Sequence, residues 1–253
     1  MSEIDVPESH PRYQSLLTRH RIDAGVDRGI TSRQGLIAEG RGEAFDYLLG
    51  ERTIPAADDA ARAAAALLLL ADHPVVSVNG NVAALVPEET VDLAAAVGAD
   101  IEVNLFDRTD DRMRAIAAHL REHGVDEAGI GVHGLAADAR IPGLDHERAK
   151  VDADGIGSAD VVVVPLEDGD RAEALAAMGK SEVVIDLNPL SRSVGAATVP
   201  IVDNVLRAVP NVAGHARDLS GASRTELEAI LRAFDPEDAR TAAEDVIRSG
   251  DLE

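Results

Sequence analysis

Val183-Val184-Ile185-Asp186-Leu187-Asn188-Pro189-Leu190-Ser191-Arg192-Ser193 is the stretch from which the fold of this chain is read. A short β-branched run that ends in Asp, Asn, Ser and Arg describes a parallel strand delivering polar groups to the edge of a sheet. In open α/β folds that edge is where ligands bind. Pro189 is expected to end the strand, because it has no ladder donor. Ser191, Arg192 and Ser193 then offer hydroxyls and a guanidinium, groups suited to phosphate.

The same pattern recurs along the chain. Pro74–Val78, Ile101–Leu105, Gly129–Val132, Asp160–Val164 and Val199–Val202 read as further strands. Between them, Glu88–Val97, Asp110–His123 and Asp170–Met178 carry helical spacing. Strands alternating with helices predict βαβ units, hence an α/β fold with a Rossmann-like, mostly parallel sheet flanked by helices. Helical N- and C-terminal segments complete it. Residues 1–72 are mainly helical, with Tyr13–Arg28, a Gly35–Leu49 segment interrupted by Gly40 and Gly42, and an Ala/Leu-rich helix over Ala57–Ala71. Residues 73–203 form the sheet core, and 204–253 read as helices, with a capping-box pattern from Ser223 to Glu226. The whole, 1–253, is expected to be one domain, with a long loop over 134–157 that is functional or a lid.

Composition narrows the function classes. The net charge is −22, and only Lys150 and Lys180 among the 24 basic residues are lysines. Such acidity, with abundant Ala and few aromatics, is the pattern of a protein adapted to high salt, where screening removes long-range self-repulsion. No basic stripe with interleaved aromatics is present, so a nucleic-acid partner is not expected. No cysteine occurs, which removes disulfides, thiolate metal sites and a cysteine nucleophile. The N-terminus lacks the basic and apolar regions of a signal peptide, and the longest apolar run, Ala63–Ala71, is too short to span a bilayer. A cytoplasmic location is expected.

Several polar clusters are candidates for chemistry, each with a plainer reading beside it. Asn79-Gly80-Asn81 brings two amides and a glycine to a strand end, yet Asn-Gly is also the commonest turn dipeptide, and taken alone the turn is favoured. Gly40-Arg41-Gly42-Glu43 reads as backbone turning to present Arg41, or as a helix–helix corner with a solvated arginine. Arg12 and Arg19 form a possible basic stripe, or the exposed side of an amphipathic helix. Glu167, Asp168 and Asp170 could hold Mg²⁺ or an amine, or cap the following helix, and the cap is favoured. His119 and His123 are spaced i, i+4 without a third ligand, so zinc is not expected. No strand is followed by a GxGxxG, and there is no P-loop or GxSxG pattern.

Read together, SHPRYQSL, GLIAEGRGEAFDYLLGERT, PVVSVNGNVAALVPEE, IEVNLFDRT, RIPGLDHERAKVD, GIGSADVVVVPLEDGDRAEAL, MGK and IDLNPLSRS…IVDNVLRA resemble the archaeal phosphopantothenate synthetases, or 4-phosphopantoate–β-alanine ligases. The resemblance runs from Ser9 to about Pro210. Two positions depart from it: Glu39 stands where it implies histidine, and Ala172 where it implies threonine. It implies ATP-dependent amide formation in coenzyme A synthesis through an acyl adenylate, with release of AMP and diphosphate. By the same resemblance Arg19, Arg41, Asp186, Leu187, Asn188, Arg192, Ser193, Asn204 and Val205 contact ATP, with Mg²⁺ accompanying it. Asn79, Asn81 and Asn104 are expected to bind phosphopantoate, with Arg12 or Arg108 on its phosphate, and Glu167, Asp168 and Asp170 are candidates for the amine or the metal. No catalytic residue is assigned. A homodimer with small-molecule partners is expected. The alternatives are a nicotinamide-dependent oxidoreductase, disfavoured by the missing glycine fingerprint, and a non-catalytic nucleotide-binding subunit.

Overall fold

The computed structural model describes residues 6–7, 9–10, 12–166 and 168–250. Helices α1 (Tyr13–Asp27), α2 (Arg33–Leu49) and α3 (Pro55–Leu70) precede the sheet. There follow β1 (Pro74–Val78), α4 (Gly80–Leu85), α5 (Pro87–Val97), β2 (Asp100–Val103), α6 (Asp110–Glu122) and β3 (Val132–His133). A two-stranded antiparallel ribbon, β4 (Ala139–Arg140) with β5 (Lys150–Val151), interrupts the series. Then come β6 (Val161–Pro165), α7 (Gly169–Ala177), β7 (Ser181–Ile185), α8 (Arg192–Ala196) and β8 (Val199–Ile201). The chain ends with α9 (Val205–Leu219), α10 (Arg224–Ala233) and α11 (Pro236–Ser249).

Six strands form one sheet in the order β3-β2-β1-β6-β7-β8, every pairing parallel. Helices cover both faces, so the strands are apolar on both sides. In β6 all five residues are buried; Val161 and Val163 enter the core beneath α3, α5 and α9, while Val162 and Val164 face Leu49, Ile54, Ile156 and Leu175. Helix α3 lies on that first face. Its Ala60, Ala61, Ala63, Ala64 and Ala65 are fully buried, small enough to let α9 pack closely. Among the described residues no helix is long and apolar enough to cross a membrane.

The strand order reverses between β1 and β6, the two central strands. In such sheets the loops leaving the C-terminal ends of the strands diverge there and leave a crevice. Leu166, at the end of β6, adopts φ +53°, an uncommon conformation for a residue with a Cβ. Asn79, at the end of β1, donates its side-chain amide to the carbonyls of Pro165 and Leu166 at 3.0 and 3.3 Å, joining the two strand ends across the reversal.

Four local expectations are corrected. Helix α2 is continuous through Gly40-Arg41-Gly42, with no turn there. Two interior glycines cost about 2 kcal/mol against Ala; Ser32 as N-cap and Gly50 in the left-handed C-terminal position hold the ends. Asn79-Gly80-Asn81 is a helix start rather than a tight turn, because Asn79 Oδ1 accepts from the amides of Asn81 and Val82. Strand β7 stops at Ile185, four residues before Pro189; the Asp186 carboxylate takes the Asn188 N–H and ends the strand first. The 134–157 region is no bare loop, since it carries β4, β5 and a 3₁₀ turn over Glu147–Ala149. The capping box over Ser223–Glu226 is present.

Candidate functional site

A cleft of about 900 Å³ opens at the C-terminal edge of the sheet, over the strand reversal. Four strands of the main sheet, β1, β6, β7 and β8, end at its wall, each followed by a helix that starts there. Asn79, Gly80 and Asn81 open α4; Asp168 and Gly169 open α7; Ser191, Arg192 and Ser193 open α8; Asn204 and Val205 open α9. Helix N-termini present unpaired amides and the positive end of the peptide dipoles. Arg41, Arg112, Arg148 and Arg192 add guanidinium groups to the same wall. In a chain of net charge −22 these four guanidinium groups stand among four carboxylates of the same wall, Glu39, Asp107, Asp168 and Asp186.

On the β7–β8 side the wall is made from contiguous sequence. The Asp186 carboxylate accepts the Asn188 N–H at 3.0 Å, Asn188 Oδ1 accepts the Leu190 N–H at 3.0 Å, and Ser191 Oγ caps α8. Burial raises the Asp186 carboxyl above the usual carboxylate range, opposed by the Asn188 amide, by Ser191 and by the charge of Arg41. Asn204 caps α9 with its Oδ1 and donates its amide to Asp46 of α2 at 2.8 Å. Arg207 bridges Asp46 and Asp203 at 2.5 and 2.6 Å, so α9 and α2 are locked together around that corner.

The β1–β2 side is assembled from distant residues. Gly35 of α2 lies so close to Asn81 that a Cβ there would collide with its Oδ1. Asn81 donates to the Gly35 carbonyl at 3.0 Å and to Glu39 Oε2 at 3.2 Å. Burial pushes the half-buried Glu39 carboxyl up to about 7, helped by the charges of Glu43 and Asp46 and opposed by the Asn81 amide. Gly80 touches the Ile30 carbonyl and Arg112, which itself donates to the Ile30 carbonyl at 3.0 Å. Arg148 is buried and faces Asp168 at 3.4 Å; desolvation lowers it to about 10.

Beneath this side lies a buried charge cluster. Arg171 of α7 is fully buried, donates to Ser77 Oγ at 3.3 Å and interacts electrostatically with Glu102 of β2 and Glu182 of β7. Desolvation brings Arg171 down to about 10 and lifts Glu102 to about 7 and Glu182 to about 8. Glu102 also accepts the N–H groups of Asp152 and Ile156, at 3.3 and 2.6 Å, which fastens the 134–157 segment to the sheet.

The cleft thus brings together Arg41, Asp186, Leu187, Asn188, Arg192, Ser193, Asn204 and Val205 with Asn79, Asn81 and Asp168. Others lie outside it. Arg19 pairs with Glu43 on the outer side of α2, at 2.7 Å. Asn104 is buried and donates to the carbonyls of Arg148 and Lys150, so it holds the ribbon. Arg108 donates to the Gly134 carbonyl, and Arg12 is exposed before α1. Asp170 faces His146 at 3.1 Å instead of the cleft. The expected cap at Asp168 has no side-chain hydrogen bond to α7. Glu167 lies outside the described residues. Sequence reading missed Glu39, Arg112 and Arg148 as wall residues. A helical arginine and a loop arginine carry no local signal, and only their place in the resembling segments could have marked the latter. Among the described residues no three acidic or histidine side chains come together as a metal cage. Asp168 and Asp170 already face basic partners, so they do not fit a prepared magnesium site.

Comparison with known proteins gives one consistent answer. The family model described as phosphopantothenate/pantothenate synthetase matches residues 56–250. The chain is 57% identical over 232 residues to the 4-phosphopantoate–β-alanine ligase of Thermococcus onnurineus, covering 92% of this chain and 88% of that one. It is 53% identical over 231 residues to the protein of the same name from Methanosarcina mazei, covering 91% and 89%.

Proposed function

The chain belongs to the phosphopantothenate/pantothenate synthetase family, and we propose that the cleft over the strand reversal is where an acyl adenylate is formed and consumed. The protein is an ATP-dependent ligase that joins 4-phosphopantoate to β-alanine in coenzyme A biosynthesis. The carboxylate oxygen of 4-phosphopantoate attacks the α-phosphorus of ATP. The Pα–O–Pβ bond breaks and diphosphate leaves. The β-alanine amine then attacks the acyl carbon, and AMP departs from 4′-phosphopantothenate.

What carries this reading is the convergence of four arginines and the helix starts after four strands on one cleft of a strongly acidic chain. A polyanionic ligand set suits such an arrangement, and these two substrates bring a triphosphate, a phosphate and a carboxylate. Arg41 and Arg192 are assigned to the triphosphate. Asp186, Leu187 and Asn188, with Asn204 and Val205, are assigned to the nucleoside side, where the polar groups are fixed before any ligand arrives. Ser193 offers the amide of the first turn of α8. Asn79 and Asn81 are assigned to phosphopantoate, with Arg112 and Arg148 closest to its phosphate. The wall holds no cysteine, and its serines are exhausted as caps or first-turn residues, so activation proceeds by positioning and electrostatics without an acyl-enzyme. Magnesium is assigned to the phosphates of ATP, which supply the ligands that the wall does not.

We place the enzyme in the cytoplasm and infer a homodimer. Helix α2 leaves Leu36, Ile37, Tyr47 and Leu48 exposed, an apolar face that sedimentation would find covered in a dimer and free in a monomer. The reaction itself is tested by incubating the protein with ATP, 4-phosphopantoate and β-alanine. Mass spectrometry should find AMP and 4′-phosphopantothenate in equal amounts; ADP in place of AMP would refute the reading.

A further inference from the structure

The second half-reaction has a requirement that the cations of the cleft do not meet. β-Alanine arrives with a protonated amine, and an ammonium nitrogen has no lone pair with which to attack an acyl carbon. A base must stand in a site otherwise built for anions.

Four carboxylates line the described wall: Glu39, Asp107, Asp168 and Asp186. Asp168 faces Arg148, and Asp186 accepts the Asn188 amide, bonds to Ser191 and feels the positive charge of Arg41. Asp107 lies exposed at the mouth. Glu39 differs from all three. It is half-buried, its hydrogen bond comes from the neutral amide of Asn81 at 3.2 Å, and no guanidinium among the described residues lies within ion-pair distance. That same Asn81 is assigned to the acid substrate, so Glu39 stands beside the acyl group to be attacked.

We propose that the Glu39 carboxylate is the general base that takes a proton from the ammonium group of β-alanine, a role that rests on the adenylate reading above. The proton moves from nitrogen to Glu39 Oε2, leaving a neutral amine. The nitrogen lone pair forms the C–N bond, the acyl C–O bond to the phosphate breaks, and the second proton leaves the nitrogen with AMP as the intermediate collapses. The charges that Glu39 feels are consistent with this work: Glu43 and Asp46 on its own helix are both negative, α4 contributes only the Asn81 amide, and burial holds the carboxyl at about 7. A base with affinity near the working pH transfers protons most effectively. The resemblance in sequence implies histidine at this position, the side chain that ordinarily titrates in the same range.

Glu39→Gln tests this with three readouts on the intact enzyme. Exchange of labelled diphosphate into ATP, dependent on phosphopantoate, reports adenylate formation. Hydroxylamine, uncharged at neutral pH, reports interception of the adenylate by a nucleophile that needs no base. β-Alanine reports the full reaction. The variant should exchange and form hydroxamate within a few-fold of wild type, while ligation of β-alanine at neutral pH falls about 100-fold or more. Raising the pH towards the amine's own pKa should recover ligation, because free amine is then supplied by solution. A wild-type ligation rate overturns the proposal. So does a deficit that is flat with pH, or a parallel loss of exchange and hydroxamate, since these describe a binding role or a role in adenylation. Absence of exchange in the wild-type enzyme would instead overturn the adenylate reading, and the inference with it.

Discussion

The turn after β7 and the segment after β3 both contribute wall to the cleft, but they are held in opposite ways. In the first, Asp186, Asn188 and Ser191 bond to amides two or three residues away. In the second, Asp152 gathers the amides of Gly134 and Ala137 at 2.8 and 2.5 Å, Glu102 reaches from β2 to Asp152 and Ile156, and Asn104 holds the ribbon carbonyls. One region is a local device repeated in many chains; the other is a small polar core with Arg171 under it. Local devices survive the loss of a distant partner, whereas a buried charge does not.

Arg171→Met strikes the second region hardest. It leaves Glu102 and Glu182 buried without their cation, and removing one partner of such a set costs about 3–5 kcal/mol. Urea unfolding should show that loss; a change under about 1 kcal/mol would mean that the cluster is not structural. The arginines that face the turn after β7 or lie in it should respond differently. Arg41→Ala and Arg192→Ala are expected to fold normally and to weaken ATP binding by about 10- to 100-fold each, the scale of charge-assisted bonds. Wild-type affinity in both variants, measured by calorimetry, would remove the triphosphate from that end of the cleft. Asn79→Ala joins the two behaviours. It loses the α4 cap and the link between strand ends, for about 1 kcal/mol of stability, and should slow diphosphate release while leaving ATP affinity nearly intact.

The last expected effect is a slope in pH. Glu102 and Glu182 have folded-state values raised to about 7 and 8 from 4.5. A raised acid binds its proton more tightly when folded, so the stability it contributes is present below about pH 4.5 and is lost as pH rises through about 7 to 8. Unfolding free energy should therefore decline over that window, and Glu182→Gln should flatten the decline. An unchanged slope in the variant would place the titration elsewhere.

The contrast also explains what could be read from the chain alone. The alternation of β-branched runs with helical stretches located five of the six strands of the main sheet to within about two residues, because each is buried on both faces and is mostly apolar, with Ser77, Glu102 and Glu182 as single polar residues inside three of them. β3 was placed too early, since its two residues are fixed by pairing with β2 and not by their own pattern. The β7 turn was legible because its ligand-facing groups are neighbours in sequence. Glu39, Arg112 and Arg148 were not, because each reaches the wall only through the packing of a separate element. Glu102 gave no signal at all: in Ile101-Glu102-Val103 it reads as a solvent-facing strand residue, yet the 134–157 segment covers that face. Gly40 and Gly42 misled in the other direction, since α2 is capped well enough at both ends to run through them.

The central claim is that this one cleft activates the acid as an adenylate before the amine takes part. Isotope exchange between diphosphate and ATP tests it most directly. Exchange should require phosphopantoate and proceed in the absence of β-alanine. Exchange that appears only when β-alanine is present, or cleavage of ATP to ADP, would contradict the account.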